Sequence, residues 1–213
     1  VGIVTVDDAI DVIQEETEED FARMAAITTA EDSYLKTSAF KHAKNRIPWL
    51  ILLMFTSTIT GSIISGFEEA ISALPIMVSF IPMLMDTGGN CGSQASVTII
   101  RGLALDEIKI KDIFKVIWKE FSISLMVGTA LAVFNFFWIW FVSGQMTVGA
   151  VVAVTLFAVV ILAKFIGCCM PILAKAVHLD PALVSSPIIT TIVDMCAVTI
   201  YFTIVTFVMG KYM

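Results

Sequence analysis

Three charged side chains lie within the most apolar stretches of the sequence: Asp86, Lys164 and Asp194. A charge inside hydrocarbon costs at least about 2.5–3.5 kcal/mol, so such residues generally mark ion paths, proton relays or internal ion pairs. Asp194 lies seven residues after Pro187 in the stretch PIITTIVDMCAVTIYFTIVTFVMG, which is about 10 Å into a helix. Its side chain is too short to reach the membrane surface. We therefore expect this carboxylate to face protein, water or a cation.

Polar residues precede Asp194 at helical spacing. Thr190 lies four residues before it, and Pro187 and Ser186 lie seven and eight residues before it. Residues at this spacing share one helix face. The face leads from one helix end to the carboxylate and suits a water-filled path. A hydrogen bond between packed helices is the alternative interpretation.

A second unusual stretch is PMLMDTGGNCGSQASVTIIRG, in which Gly88, Gly89 and Gly92 surround Asn90. Glycines weaken a helix by about 1 kcal/mol each relative to alanine. They also allow two helices to approach closely. The stretch predicts either a broken or tilted helix beside a cavity, since irregular backbone at membrane depth needs protein or a cavity around it, or close helix packing.

The triplet Asp86-Thr87-Gly88 also occurs in aspartic proteases, and two membrane aspartates could form a paired catalytic site. However, the Gly-x-Gly-Asp context of intramembrane aspartyl proteases is absent around Asp86 and Asp194. We therefore predict that the chain is not an enzyme. Asp86 is expected either at an ion path or in contact with Lys164. Lys164 is expected to face away from such a path or to pair with an acid.

The composition indicates which elements position these residues. Hydrophobic residues make up 58% of the 213 residues, and the mean hydropathy is +0.91. Runs of about 20 apolar residues span a bilayer as helices. We predict an all-α polytopic membrane protein with five spans, and no nucleic-acid partner. The spans are 47–66, 71–100, 121–143, 148–173 and 187–209.

The charged residues between these spans predict their orientation. Basic residues precede span one and lie between spans two and three and between spans four and five, whereas the other side carries Glu68, Glu69 and Lys211. Cytoplasmic loops are enriched in lysine and arginine. We therefore expect a cytoplasmic N-terminus and an extracellular C-terminus. The expected location is the plasma membrane, which is the inner membrane in cells that have two membranes.

The first part of the chain is acidic, with ten acids and one base, Arg23, between Asp7 and Asp32. Val4 and Val6 followed by two aspartates resemble the end of a strand and the start of a helix. A single strand is not stable alone, so we expect the chain to be a segment of a longer protein. The sequence from Asp8 to Lys44 has neither proline nor glycine, and a continuous helix is possible there.

In order, VGIVTVDDAIDVIQEETEED, GGNCGSQASVTIIRGLA and HLDPALVSSPIITTIVD resemble the MgtE-type magnesium channels along the whole chain. The resemblance implies a homodimer with one pore on its two-fold axis, lined by spans two and five. Asp194 of both subunits would form the selectivity site for Mg²⁺. The groups expected to hold the ion's water shell are Gly88, Gly89, Asn90, Ser186 and Thr190.

The resemblance also implies a division into three parts. Residues 1–12 would be the remnant of a second CBS domain, 13–45 a cytoplasmic plug helix, and 46–213 the five-helix pore domain. Mg²⁺ bound by acids near the inner pore mouth would favour the closed state. The matching acids are Asp8, Asp11, Glu16, Glu19, Asp20 and Asp180.

The resulting functional hypothesis is a Mg²⁺-selective channel for passive uptake, in which Mg²⁺ is both the transported and the regulatory ion. The alternative is a secondary transporter that couples Mg²⁺ to Na⁺ or H⁺, because midplane acids and broken helices occur in that class as well.

Overall fold

The computed structural model describes residues 4–25, 27, 35–73, 75–184 and 186–209. All regular secondary structure in these ranges is helical. Within them, three short 3₁₀ helices cover Pro75–Phe80, Ile110–Asp112 and Pro181–Leu183. The α-helices are α1 (Val6–Met24), α2 (Ala39–Ser65), α3 (Glu68–Ala73), α4 (Ile81–Ala104), α5 (Ile113–Ser143), α6 (Met146–Ala176) and α7 (Ser186–Met209).

Four helices in the described part of the chain are long and apolar enough to cross a membrane: α2, α5, α6 and α7. They confirm a polytopic all-α membrane protein. The predicted second span is divided, because the 3₁₀ turn Pro75–Phe80 separates α3 from α4. At 24 residues, α4 is long enough to span a bilayer. Its polar and glycine residues lower its hydropathy, and a fifth span therefore stays a prediction.

The N-terminal segment is helical earlier than predicted. Val6 is the first residue of α1, and Thr5 and Asp8 form a capping box at its start. The assignment of Val6 to a strand was therefore wrong, and residues 1–3 of that strand lie outside the described residues. A capping box satisfies two of the free backbone N–H groups at a helix start, which explains why the helix begins here.

The continuous helix considered from Asp8 to Lys44 is not found. Helix α1 ends at Met24, and Ser38 caps the start of α2 by accepting from the backbone N–H of Lys41 at 3.3 Å. Most of the intervening segment lies outside the described residues. The second helix continues into the first predicted span, so Lys41, Lys44 and Arg46 belong to α2 rather than to the acidic helix.

Helix α4 packs between α6 and α7, while α5 packs on α6 and α2 packs on α7. Glycines allow these helices to approach each other closely. A Cβ atom on Gly88 would lie 2.6 Å from Val159 and 2.9 Å from Val193, and one on Gly167 would overlap the carbonyl oxygen of Gly92. Since α4 is continuous through these positions, the structure favours the close-packing interpretation of the glycine-rich stretch over a break within it.

The segment before α4 is attached to α7. The hydroxyl of Tyr201 donates to the carbonyl oxygen of Met77 at 2.8 Å, and both residues are fully buried. Phe67 stacks on Phe202 with ring centroids 5.0 Å apart. These contacts fix the start of α4 against α7, which is the helix that carries Asp194.

Candidate functional site

An open cleft of about 450 Å³ lies between α4 and α7. Both helices contribute polar side chains to it. Asp86 and Asn90 are exposed, whereas Thr190 and Asp194 are half-buried. The cleft is lined by Pro82, Met85, Asp86, Asn90, Thr190 and Asp194.

The register of the two helices explains why the two aspartates share the cleft. Ser186 donates to Ser93 at 2.6 Å between the helix surfaces. One turn further along, Gly89 lies against Thr190. Because the helices run in opposite directions, another turn brings Asp86 of α4 to the level of Asp194 of α7. Both aspartates are about 10–12 Å along their helices from the serine contact at about 1.5 Å per residue.

Helix α4 presents two different faces. Asp86, Asn90 and Ser93 share the face toward α7 and the cleft. Gly88 and Gly92 lie on another face, where α4 is in close contact with Val159 and the backbone of Ala163 in α6 and also with Val193 of α7. The small residues allow α4 to approach α6 closely, and the polar residues are thereby directed away from α6.

The polar groups of the cleft are arranged as hydrogen-bond acceptors. The amide nitrogen of Asn90 donates to Asp86 Oδ2 at 3.2 Å. The hydroxyl of Thr190 donates to the carbonyl oxygen of Pro187 at 2.9 Å. A hydroxyl has one proton to donate and two lone pairs, so this threonine retains acceptor capacity. Two carboxylates among such acceptors favour a cation.

The residues expected to support the ion path occupy different places. Asn90 and Thr190 line the cleft with Asp194. Gly88 and Gly89 are buried in helix contacts, and Ser186 is bonded to Ser93 at the end of the cleft. Their assignment to the path remains a prediction.

Lys164 lies apart from the cleft and faces Glu120 of α5, with Nζ 3.6 Å from Oε2. Lys164 is 5% exposed and Glu120 7% exposed. The prediction that this lysine faces away from the path or pairs with an acid is confirmed, and the suggested contact with Asp86 is not found. Glu120 was missed because the predicted third span began one residue later, at Phe121.

Helix α1 packs against Pro181–Leu183, the turn before α7, and lines a pocket together with the end of α4. Arg23 joins α1 to this turn, since its guanidinium binds both Asp180 of the turn and Glu19 of α1. Asp180 also accepts from the backbone N–H of Ala182 at 2.9 Å. Asp180, which was predicted as a regulatory acid, is thus bound by a basic side chain of α1.

Asp20 of α1 lies beside Asp180, and both line a pocket of about 140 Å³ that Lys175 also borders. Burial and then the nearby charge of Asp180 raise the pKa of Asp20 above its usual range, because both disfavour the ionised form. Ligands that relieve this repulsion are a proton or a cation.

The other predicted regulatory acids do not line this pocket. Asp8 accepts from the backbone N–H and the hydroxyl of Thr5 at 2.8 and 2.6 Å, and these hydrogen bonds lower its pKa. Asp11 and Glu16 are exposed. Among the described residues, no three histidine, cysteine or acidic side chains are grouped closely enough to hold a metal ion. The regulatory sites therefore remain predictions.

The chain is similar to three curated proteins named magnesium transporter MgtE. It is 40% identical over 210 residues to the one from Bacillus subtilis, a match that covers 97% of this chain and 45% of that protein. It is 34% identical over 207 residues to the one from Thermus thermophilus, covering 96% and 45%. For Enterococcus faecalis the identity is 34% over 213 residues, covering 99% and 46%. The chain thus spans about half the length of these relatives.

Residues 81–204 match the family model MgtE, described as divalent cation transporter. The match begins at the first residue of α4 and ends within α7, and therefore contains the whole cleft with Asp86 and Asp194. It covers more than half of the chain. The chain belongs to the MgtE family of divalent cation transporters.

Proposed function

We propose that this chain forms the membrane pore of a Mg²⁺-selective channel that mediates passive uptake. The ion path runs along the cleft between α4 and α7, and Asp194 is its selectivity site. The three relatives are named magnesium transporters, which supports Mg²⁺ as the transported ion. A dehydrated site is unfavourable for Mg²⁺, which loses its water reluctantly, so the ion enters the cleft hydrated.

The observation that carries the proposal is a charged surface on a helix bundle embedded in a membrane. Asp86 and Asn90 are exposed and Asp194 is half-buried, yet Asp86 and Asp194 have no salt-bridge partner among the described residues. Such a surface cannot face lipid at tolerable cost. A cation supplies the charge that the protein does not.

A second copy of the chain would complete the path. In a two-fold dimer the same surface of each subunit faces its partner. The α4–α7 cleft would then appear twice around one axis, and two copies of Asp194 would face the same ion. A single subunit leaves its polar face exposed to lipid, and the dimer would cover that face.

Ion-dependent closure is assigned to the α1 end of the bundle. Repulsion between Asp20 and Asp180 opposes the docking of α1, and Arg23 offsets it in part. Mg²⁺ bound between Asp20 and Asp180 would favour docking and closure. Mg²⁺ bound by the other acids of α1 would act in the same direction; these acids are Asp8, Asp11, Glu16 and Glu19. This proposal requires the α1 end to be cytoplasmic, as the basic residues before α2 predict.

Mg²⁺ flux into liposomes containing the intact protein tests the assignment of Asp194. Asp194→Asn is expected to abolish Mg²⁺ uptake, because it removes the charge while preserving the shape of the side chain. Thr199→Ala is the matched control. Thr199 is exposed on the same helix, and its hydroxyl donates to the backbone carbonyl oxygen of Met195 one turn earlier. Unchanged uptake by Asp194→Asn would make this carboxylate structural.

The alternative is a secondary transporter that couples Mg²⁺ to Na⁺ or H⁺. A Mg²⁺ current that reverses at the Mg²⁺ equilibrium potential, with and without gradients of Na⁺ or pH, supports the channel. A reversal potential that shifts with either gradient supports coupling.

A further inference from the structure

Asp86 is the polar residue of the cleft whose role the proposed function leaves open. It lies on α4 at the level of Asp194, because the contacts Ser93–Ser186 and Gly89–Thr190 set the register of the two helices. It is exposed to the cleft. Lys164, the basic residue within the apolar part of α6, is paired with Glu120 instead. The carboxylate of Asp86 is thus available to a cation in the cleft.

The hydrogen bond between Asn90 and Asp86 has a second consequence. A side-chain amide has a donor end and an acceptor end. Asn90 uses its nitrogen to donate to Asp86 Oδ2 at 3.2 Å. This fixes the rotation of the amide and leaves its carbonyl oxygen as the group free to accept. Without the carboxylate of Asp86, either end of the amide could turn toward the cleft.

The neighbouring groups show the same polarity. Thr190 donates its proton to Pro187 at 2.9 Å and keeps its lone pairs, and ionised Asp194 is an acceptor only. The outer surface of a hydrated cation presents only water hydrogens. Each polar side chain of the cleft therefore offers an acceptor to such an ion. An amide turned the other way would replace its carbonyl oxygen with N–H groups that face the water hydrogens.

We propose that Asp86 is a specificity-determining residue of the ion path, which acts with Asp194 as a second carboxylate at the same level and orients the amide of Asn90 so that its carbonyl oxygen faces the ion. This inference rests on the proposed function. It assigns two carboxylates to each subunit, and their combined negative charge attracts a divalent cation more strongly than a monovalent one.

The test is Mg²⁺ flux through the intact protein in liposomes, measured against Mg²⁺ concentration and in competition with Na⁺. Asp86→Asn is expected to raise the half-saturating Mg²⁺ concentration by about tenfold, since a charge-assisted contact is lost, and to increase Na⁺ permeation. Asp86→Glu keeps the charge and is expected to retain preference for Mg²⁺. Thr98→Ala on α4 is the control, because Thr98 is exposed and its hydroxyl donates to the backbone carbonyl oxygen of Gln94 in the same helix.

The orienting role is tested by Asn90→Ala alone and combined with Asp86→Asn. If Asp86 acts partly through Asn90, the half-saturating Mg²⁺ concentration of the double variant rises by less than the product of the two single-variant increases. Independent, multiplicative effects would contradict the orienting role.

The outcomes separate this inference from the function on which it rests. If Asp194→Asn abolishes uptake while Asp86→Asn leaves both half-saturation and Na⁺ exclusion unchanged, the role of Asp86 is wrong and the channel assignment stands. A fall in maximal rate alone, without a change in either quantity, also contradicts it. If Asp194→Asn has no effect, the proposed function itself fails.

Discussion

The cleft between α4 and α7 and the ion pair between α5 and α6 both place charged side chains on apolar helices. In the ion pair, Lys164 and Glu120 are almost completely buried and neutralise each other. In the cleft, Asp86 and Asp194 are accessible and have no basic partner among the described residues, so a cation from solution can neutralise them. Burial with a partner indicates a role in the fold, whereas accessibility without a partner indicates a role toward a ligand.

The contrast also concerns hydrogen bonding. The Lys164–Glu120 separation of 3.6 Å is longer than a hydrogen bond, and Glu120 Oε2 has no hydrogen-bond partner in the part of the chain that the structure describes. Removing one partner of a buried pair leaves an uncompensated charge, which costs more than the pair itself contributes. The cleft carries its unpaired charge at the surface, where replacing an aspartate removes repulsion. The two regions should therefore respond in opposite ways to neutralising substitutions.

The largest effect is expected from Lys164→Met, which leaves Glu120 buried and unpaired. It should destabilise the protein by about 3–5 kcal/mol, measured as the loss of unfolding free energy in detergent micelles. The double variant Lys164→Met/Glu120→Gln should recover most of this loss, because no charge remains. Asp194→Asn should leave stability unchanged or raise it. A Lys164→Met protein as stable as the double variant would remove the distinction between the regions.

An intermediate effect is expected at the contact that separates the two regions. Gly167→Ala places a methyl group against the backbone of Gly92 and should push α4 away from α6. Overpacking of this kind costs about 1–3 kcal/mol, and flux should fall together with stability because α4 also forms the cleft.

Gly61→Ala is the matched control for that substitution. An added Cβ at Gly61 in α2 meets nothing within 4 Å, and alanine is the better helix former by about 1 kcal/mol. It should be neutral or stabilising. Equal effects of the two substitutions would show that helix propensity, rather than the approach of α4 to α6, determines the result.

The smallest effect is expected at the α1 end, where the charges are partly exposed. Arg23→Gln removes the ion pairs with Asp180 and Glu19, and exposed pairs contribute about 0.2–1 kcal/mol. Amide hydrogen exchange in α1 should accelerate by up to about fivefold, and added Mg²⁺ should reverse the change if a cation can replace the guanidinium between Asp20 and Asp180.

Glu18→Gln controls for a general effect of charge on α1, since Glu18 is exposed on the same helix. Acceleration of equal size in this variant would attribute the change to net charge. No acceleration with Arg23→Gln would mean that apolar contacts alone hold α1 in place.

Much of the fold followed from hydropathy, and the errors have identifiable causes. The apolar runs predicted α2, α5, α6 and α7, because length and hydrophobicity are local properties. The second span was drawn as one segment although Pro75 begins a 3₁₀ turn within it. Val6 was assigned to a strand because β-branched residues favour strands, but the capping box of Thr5 and Asp8 outweighs that preference.

The candidate site was predictable only in part. Asp194, Thr190 and Asn90 were identified because polar residues at helical spacing are unusual in apolar segments. Glu120 was not, since it lies at the boundary where a span and a loop cannot be distinguished by composition. The contact of Arg23 with Glu19 follows from a spacing of four residues, whereas its contact with Asp180 joins residues 157 positions apart.

The sequence alone determined that charges lie inside apolar helices and that each must be neutralised, since the cost of an isolated charge in hydrocarbon does not depend on the fold. Only the tertiary structure decided how. The antiparallel register of α4 and α7 brings Asp86 to Asp194, and the packing of α5 on α6 brings Glu120 to Lys164. Helix register and rotation are set by packing between distant segments, and no local pattern specifies them.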